Sequence, residues 1–328
     1  MNDAAPVLIR DLEFSDLWIN ERGEAYLSEA KSLTPIPNAC GPDAWTLARV
    51  LDDTTEREFP LSYDDVIYRA ARMDGRHGIW WVLRRQAQSV PPLAELGFSD
   101  ALVKRLVELG RHDSARGLVL VFGDTNMGKT WTVSALFKAW LETHGGTGLT
   151  VEAPPELPLE GNHGERGFCI QTRIAESEID VQVALSARCN PAYLLIGEIR
   201  FSKSARQTLD AALSGRIVAA TMHASGIEQG LLRFVDLAAG GAEIRARSPG
   251  AAEKPVEIED VRQQLSDSLR LVIFQHLLRR PALARPILRS EVLIVDADSS
   301  AIQSLIRQGQ FRQLRTIIER QQKLVQGI

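Results

Sequence analysis

The sequence predicts an α/β protein with a mostly parallel sheet, preceded by a small α+β domain. From Gly117 onward, short apolar segments alternate with longer segments of helical spacing, an order that produces β-α-β crossovers. A glycine-rich loop separates the first of these apolar segments from the first helical one. Hairpin patterns dominate the earlier part of the chain. We therefore expect an α+β domain at residues 1–95, a linker helix region at 96–116 and an α/β domain at 117–328.

The first domain is predicted from two hairpin patterns. In each, strand-like segments flank a turn rich in Asn, Asp or Gly: residues 17–19 and 25–27 around 20–23, and residues 66–72 and 79–84 around 74–78. Pro91 and Pro92 then interrupt regular structure, and an amphipathic helix is expected over 99–110. The domain boundary is accordingly placed near residue 95.

The second domain is predicted from five apolar strand segments and the helical segments between them. The strand segments are residues 118–122, 149–151, 193–196, 217–221 and 292–295. The main helical segments are residues 179–187, 204–214 and 261–278, and a surface loop is expected over 240–259. In a parallel sheet of this kind, ligands bind at the carboxyl ends of the strands.

A phosphate-binding loop is the most specific motif in the chain. It has the pattern G-x-x-x-x-G-K-T and consists of Gly123, Asp124, Thr125, Asn126, Met127, Gly128, Lys129 and Thr130. An apolar run precedes it and helical spacing over 131–143 follows, which is the strand-loop-helix context of a nucleotide site. Lys129 is expected to reach the β- and γ-phosphates, and the Thr130 hydroxyl to bind Mg²⁺. Asn126-Met127 stands where Gly-Ser is more usual, and Asn tolerates the positive φ that the loop requires.

Polar residues at three strand ends are candidates for chemistry beside this loop. Glu198 follows the strand segment 193–196, where a carboxylate lies on the Mg²⁺ side of a nucleotide hydrolase. Glu152 and Glu156 follow another strand and could orient a water and accept its proton, but from the residues alone an acidic, proline-rich turn is the favoured interpretation. His223 is either a γ-phosphate sensor or a structural histidine.

Composition and charge exclude several classes of protein. The 328 residues are 45% hydrophobic and 24% charged, as in an ordinary soluble globular protein. The net charge of −4 argues against general nucleic-acid binding. Cys40, Cys169 and Cys189 are widely spaced, so neither a zinc module nor a disulfide framework is predicted, which fits a reducing cytoplasm. Neither a signal peptide nor an apolar run of about eighteen residues is recognised.

The order of these motifs along the chain resembles that in the secretion ATPase superfamily of type II and type IV systems, in particular in its PilT/DotB-like hexameric motors. The resemblance runs from about residue 96 to about 310. The blocks besides the phosphate-binding loop are an acidic box at 152–156, a Walker B segment at 194–200 and a histidine box at 215–223. Residues 266–275 resemble the helix after the histidine box, and residues 301–309 the C-terminal helix of retraction motors. The resemblance implies a RecA-like P-loop core and a PAS-like N-terminal domain.

The resemblance also implies a role for individual residues. Glu156 becomes the general base, Glu198 the carboxylate linked to Mg²⁺, partly through water, and His223 the γ-phosphate sensor. Arg200 joins the catalytic residues, and Trp131, directly after the loop, joins the nucleotide-binding residues.

Arginines of the N-terminal domain reach the nucleotide in that family, often across a subunit boundary. Arg69, Arg72 and Arg84 are the candidates in this chain for such arginine fingers, which stabilise charge on the γ-phosphate. The alternative is that they are ordinary exposed arginines of a strand.

Several residues depart from the family pattern. Ala153 replaces an Asp of the acidic box, Arg216 stands where the first histidine of its box is expected, and Phe201 stands where an Asp usually follows. Trp131 replaces a small hydroxyl residue. Because the loop lysine and both box glutamates remain, we expect hydrolysis, at a reduced rate. The four-cysteine zinc insertion of the assembly ATPases is missing, which favours the retraction or DotB-like branch.

The function implied by the resemblance is a ring-forming, hexameric ATPase that uses ATP and Mg²⁺. It would work in the cytoplasm, at the inner face of the inner membrane, on platform proteins of a secretion, conjugation or pilus machine. Peripheral membrane association and no direct nucleic-acid readout are expected. The acidic box Glu-Ala-Pro-x-Glu slightly favours the conjugation or type IVB side over pilus retraction. Two alternatives stay open: a nucleic-acid-dependent RecA-like motor, and a divergent member that binds ATP without hydrolysing it.

Overall fold

The structure of the protein is a computed structural model that describes residues 7–29, 32–111, 116–240, 257–278, 286–296 and 298–326. The chain divides into two compact units, Met1–Ser89 and Val90–Ile328. None of the helices in the described ranges is long and apolar enough to cross a membrane.

In its described residues, the first unit is a six-stranded antiparallel sheet with one α-helix and two short 3-10 helices. Its elements are β1 (Asp16–Asn20), β2 (Ala25–Glu29), β3 (Ser32–Pro35), α1 (Gly41–Asp52), β4 (Glu58–Tyr63), β5 (Val66–Gly75) and β6 (Gly78–Arg85). The strand order is β3-β2-β1-β6-β5-β4. Both predicted hairpins are confirmed, as β1–β2 and β5–β6, the second closing with Gly75 opposite Gly78. Leu47 and Leu51 of α1 pack into a core that includes Tyr68 and Trp81. The description of this unit as PAS-like stays a prediction.

The second unit contains an eight-stranded sheet flanked by helices. Its elements as far as the acidic box and its partner strands are α2 (Asp100–Glu108), β7 (Gly117–Phe122), α3 (Lys129–His144), β8 (Gly146–Glu152), β9 (Gly161–His163) and β10 (Gly167–Arg173). They continue with α4 (Ile179–Cys189), β11 (Tyr193–Ile196), α5 (Ser202–Leu213), β12 (Ile217–Met222), α6 (Ile227–Ala238) and α7 (Ile258–Ser268). The last are β13 (Leu269–Leu278), β14 (Ile287–Ile294), α8 (Ser300–Arg307) and α9 (Leu314–Gln326).

The sheet of the second unit is mostly parallel, as the alternating pattern predicts. Its order is β14-β13-β7-β12-β11-β8-β10-β9, and only the β14–β13 and β10–β9 pairs are antiparallel. The five predicted strand segments are confirmed as β7, β8, β11, β12 and β14. Every residue of the central strands β7, β11 and β12 is buried, because helices cover both faces of a parallel sheet.

The predicted helices are confirmed in four places. The segments 179–187 and 204–214 lie in α4 and α5, the helix after the glycine-rich loop is α3, and α2 begins after Ser99. The Ser99 hydroxyl accepts a hydrogen bond from the Leu102 backbone N–H at 3.3 Å, which caps α2. The surface loop expected over 240–259 lies mainly outside the described residues.

The predicted helix at 261–278 is wrong in its second half. The helix α7 ends at Ser268, and residues 269–278 form β13, which pairs in parallel with β7 beside the centre of the sheet. The residues 266–275 that resemble a helix of the secretion ATPases therefore belong mostly to a strand. Leu271, Val272 and Ile273 are completely buried, and a continuous apolar run of this length is compatible with a buried strand or a buried helix. Pairing with β7, which lies far away in the sequence, decides between them.

Candidate active site

A cavity of about 420 Å³ lies at the carboxyl ends of the central strands of the second unit. The residues that line it are Thr125, Asn126, Met127, Gly128, Lys129, Thr130, Trp131, Glu152, Ala153, Pro154, Glu156, Ile179, Gly197, Glu198, Arg200, Thr221, His223 and Leu277. The glycine-rich loop, the acidic box, the Walker B segment and His223 thus meet at one place. Gly123 and Asp124 are the two residues of the predicted loop that are not part of this lining.

The backbone of the glycine-rich loop explains its residue types. Asn126 has a φ of 61° and Gly128 a φ of 79°, and α3 begins at the next residue. Gly123 has a φ of 156°, and a Cβ atom there would lie 2.5 Å from the backbone oxygen of Gln275. The loop therefore closes tightly at the start of α3, where backbone N–H groups and the helix dipole favour an anion.

The loop is fixed to the neighbouring strand β13 through Met127. The Gln275 side-chain amide donates from Nε2 to the Met127 carbonyl oxygen at 2.8 Å, and the Leu277 backbone N–H lies 3.3 Å from the Met127 sulfur. Gln275 is only 1% exposed, and its Oε1 has no hydrogen-bond partner. The sequence analysis missed this residue, although a single glutamine inside the apolar run of β13 is a visible signal of a polar contact.

Four charged or polar side chains form a continuous chain of contacts in the cavity. The Lys129 ammonium donates to the Asp124 carbonyl oxygen at 2.8 Å and lies 3.3 Å from His223 Nδ1. His223 Nε2 lies 2.7 Å from Glu198 Oε1, and Arg200 Nε lies 2.6 Å from Glu198 Oε2. An ammonium can only donate, so His223 Nδ1 accepts the hydrogen bond from Lys129.

The Lys129 ammonium is held in a mostly buried position. The residue is 7% exposed, and burial lowers the pKa of its side chain, while the carboxylates of Glu198, Asp124 and Glu156 act in the opposite direction. A buried cation that has lost its water gains most from a strong anion, such as a phosphate group.

The two glutamates of the acidic box lie in different environments. Glu156 is exposed and lines the cavity, whereas Glu152 is 3% exposed. Burial raises the pKa of the Glu152 carboxyl from 4.5 to about 7, against the stabilising hydrogen bond from Gln171. The Gln171 Nε2 donates to Glu152 Oε2 at 2.8 Å. Glu152 is therefore a poor candidate for the solvent-accessible base, and Glu156 is the better one.

The residues that depart from the family pattern lie in different places. Arg216 precedes β12 and His223 follows it, so the two lie roughly 20 Å apart, at opposite ends of this strand. Arg216 is 4% exposed, and burial lowers the pKa of its guanidinium. Phe201 directly precedes α5 and lies outside the cavity lining, whereas Ala153 and the half-exposed Trp131 belong to it. Of these four residues, Ala153 and Trp131 therefore affect the cavity directly, as do Asn126 and Met127 of the loop.

The three candidate arginine fingers lie in the first unit and contact carboxylates there. Arg69 forms an ion pair with Glu58 across the β4–β5 pair. The other two contacts are Arg72 Nε to Asp74 Oδ1 at 3.2 Å and Arg84 Nε to Asp16 Oδ1 at 2.8 Å. Their assignment as arginine fingers stays a prediction.

The fold and the loop define a P-loop protein, and comparisons with known proteins give its family. The family described as "Type II/IV secretion system protein" matches residues 52–319, so the chain belongs to this family. It is 33% identical over 259 residues to the uncharacterized protein YggR of Escherichia coli K12, covering 78% of this chain and 71% of YggR. It is 29% identical over 271 residues to the type IV pilus retraction ATPase PilT of Pseudomonas aeruginosa, covering 82% and 71%.

Two crystal structures show the same fold at low sequence identity. The pilus retraction motor PilT with bound ADP aligns with a TM-score of 0.74 at 23% identity, covering 94% of this chain and 87% of that one. The ATPase DotB of Legionella pneumophila aligns with a TM-score of 0.68 at 19% identity, covering 96% and 89%. The family match confirms the predicted membership of the type II and type IV secretion ATPases, and the two structures show that the chain has the fold of PilT and DotB.

The contact between Gln275 and the loop leads to a prediction about nucleotide binding. Gln275→Met keeps the length of the side chain but removes the hydrogen bond to the Met127 carbonyl, so the loop is held less firmly. We expect nucleotide to bind about fivefold more weakly, equivalent to about 1 kcal/mol, in a titration with a slowly hydrolysed ATP analogue. Gln322→Met is the matched control, because Gln322 Nε2 donates to the Ser290 carbonyl and its Oε1 is also unpartnered. Equal affinities for the two variants would contradict the prediction.

Proposed function

We propose that the protein is a motor ATPase that binds ATP in this cavity and hydrolyses it to drive a secretion, conjugation or pilus machine. The observation that carries the proposal is the contact chain from Lys129 through His223 to Glu198, inside a cavity that Glu156 also lines. It joins the lysine after β7 to the carboxylate after β11, through the histidine after β12, the strand between them in the sheet. The ATPase relatives of the chain support the same function.

The residues of the cavity fit both ATP and Mg²⁺. A loop closed by positive φ angles at the start of α3, together with a desolvated lysine, suits the phosphate groups. The Thr130 hydroxyl and the Glu198 carboxylate are oxygen donors, the type that Mg²⁺ prefers, and Glu198 would bind partly through water. When bound, Mg²⁺ would neutralise negative charge on the phosphate groups.

Side chains that follow the strands of the sheet would carry out the proposed reaction. Glu156 is exposed in the cavity and accepts the proton of the attacking water. His223 contacts both Lys129 and Glu198, so a γ-phosphate that draws Lys129 toward itself also changes the position of His223. His223 thereby senses the γ-phosphate, and Arg200 holds the second oxygen of Glu198.

Motor action requires that hydrolysis moves one part of the protein against another. In the proposed hexameric ring, Arg69, Arg72 or Arg84 would bind the γ-phosphate and favour ATP over ADP. Each round of hydrolysis would then open and close the nucleotide site. The ring would work in the cytoplasm at the inner membrane, on platform proteins of the machine. Ring size, location and platform partners form part of the proposal.

The proposal is tested by replacing the candidate base. Glu156→Gln keeps the size of the side chain but removes its ability to accept a proton, so we expect kcat for ATP to fall by roughly 10²- to 10⁴-fold while ATP binding is retained. Glu165→Gln, an exposed glutamate outside the cavity lining, should leave kcat unchanged. Phosphate release and binding of a fluorescent ATP analogue are measured on purified protein.

The same measurements separate the alternatives. Wild-type protein that binds ATP without releasing phosphate would identify a non-hydrolysing family member. Turnover that depends on added single-stranded DNA would indicate a nucleic-acid-dependent motor. Full activity of Glu156→Gln would remove Glu156 from the mechanism.

A further inference from the structure

We propose that Gln171 is a positioning residue that holds the loop carrying Glu156 in place for catalysis. Gln171 lies on β10, outside the cavity lining, and contacts neither the P-loop nor Glu198 in any hydrogen bond that the structure describes. It acts on the loop of residues 153–160, which connects β8 to the β9–β10 strands. The inference rests on the proposed role of Glu156 as the base.

Both the nitrogen and the oxygen of the Gln171 side-chain amide form hydrogen bonds with this loop and with Glu152, the residue that precedes it. Nε2 donates to Glu152 Oε2 and to the Leu157 carbonyl oxygen, both at 2.8 Å. Oε1 accepts a hydrogen bond from the Leu159 backbone N–H at 3.0 Å. The backbone N–H of Gln171 donates to the Glu160 carboxylate. One residue of β10 therefore ties four positions of the segment 152–160.

The position of the Glu156 carboxylate depends on these hydrogen bonds of Gln171, which we call the Gln171 clip. Leu157 and Leu159 are buried in the unit, and His163 Nε2 lies 2.8 Å from the Leu159 carbonyl oxygen. Glu156 is the exposed residue directly before Leu157, whose carbonyl Gln171 holds. Apolar burial fixes the depth of the loop, and the directional hydrogen bonds of Gln171 fix its orientation, which sets where the Glu156 carboxylate lies in the cavity.

The residue type at position 171 follows from these contacts. A side-chain amide is the neutral group that offers two donors and an acceptor together, and all three are used here. A glutamate would place a second carboxylate against Glu152, and an apolar residue would leave the Leu157 carbonyl and Leu159 N–H without these partners. We therefore expect replacement of Gln171 to act on the geometry of the base and not on ATP binding.

The test combines one substitution at Gln171 with the substitution of the base. Gln171→Met keeps the length of the side chain and should lower kcat by about 10- to 100-fold with little change in the affinity for a fluorescent ATP analogue, because small displacements of a reacting group are costly. In the Glu156→Gln background, the same change should have no further effect on kcat. Gln321→Met is the matched control, since Gln321 also holds a backbone N–H and a carbonyl, those of Ile294, away from the cavity lining.

A second measurement tests whether Gln171 holds the loop, and it does not depend on ATP hydrolysis. In hydrogen–deuterium exchange, the segment 157–160 should exchange faster in Gln171→Met than in wild type, and the Gln321→Met protein should show no change there. Unchanged exchange would overturn the clip whatever the activity. If exchange is faster but Gln171→Met lowers kcat equally in the wild-type and Glu156→Gln backgrounds, Gln171 does not act by positioning Glu156. Wild-type protein without ATP turnover would instead overturn the proposed function and with it the catalytic part of this inference, while the exchange result still decides whether the clip exists.

Discussion

Lys129→Ala is expected to abolish measurable ATP turnover, with a loss in kcat of at least roughly 10²- to 10³-fold. The Lys129 ammonium is the buried cation of the cavity that lies against both the loop, through the Asp124 carbonyl, and His223. Without it, a highly charged triphosphate would meet the carboxylates of Glu156 and Glu198 with no opposing cation from the loop. Phosphate release under saturating ATP measures the effect, and a titration with an ATP analogue measures the loss of binding.

The control for Lys129→Ala is another lysine of the same helix. Lys138 also lies on α3, but its ammonium donates to the Val90 carbonyl at 2.9 Å and lies 3.7 Å from Glu142, outside the cavity lining. Lys138→Ala should therefore retain turnover. Lys129→Arg should stay impaired, because the planar guanidinium does not replace a compact ammonium in a buried position. Undiminished turnover in Lys129→Ala would show that phosphate is bound elsewhere.

The parts of the fold that follow from local patterns could be predicted from the sequence. The strand β7, the loop and α3 follow each other within thirty residues, and each has its own apolar or glycine signal. The strand β13 could not be predicted in the same way, because its apolar run suits a buried helix as well as a buried strand. Its pairing with β7, about 150 positions earlier in the chain, decides its conformation. Local periodicity carries no information about such a partner.

The candidate site shows the same limit. Lys129 was predicted from the phosphate-binding motif and Glu198 and His223 from strand ends, and the parallel sheet brings the three into contact. Gln171 and Gln275 were missed, because their importance lies in hydrogen bonds to the backbone of distant loops. A motif identifies residues that meet the ligand, whereas the side chains that hold those residues in place have no fixed spacing from them. Assignment of Arg69, Arg72 and Arg84 to the nucleotide stays a prediction for the related reason that it depends on how two units meet.

A second large effect is expected from Glu152, whose carboxyl is buried at the edge of the cavity. Burial raises its pKa from 4.5 to about 7 in the folded protein. Below about pH 4.5 the carboxyl is protonated in both the folded and unfolded states. As the pH rises to about 7, the unfolded chain releases the proton while the folded protein retains it, so the free energy of unfolding falls. One pH unit of this difference corresponds to about 1.4 kcal/mol, so the total loss is about 3 kcal/mol.

Glu152→Gln should remove this pH dependence and make the second unit more stable than wild type at pH 8, by up to about 3 kcal/mol. The glutamine keeps an oxygen that accepts the hydrogen bond from Gln171 Nε2, so the gain comes from removing the buried ionisable group. Urea unfolding of the wild type and the variant at pH 5 and pH 8 measures the difference, with the exposed Glu165→Gln as the control that should follow the wild type. Parallel stability curves for wild type and Glu152→Gln over this range would show that the Glu152 carboxyl ionises normally in the folded protein. A gain at pH 8 would instead show that this chain keeps a destabilising acid beside its candidate catalytic residues, which is the pattern expected where a site is selected for activity and not for stability.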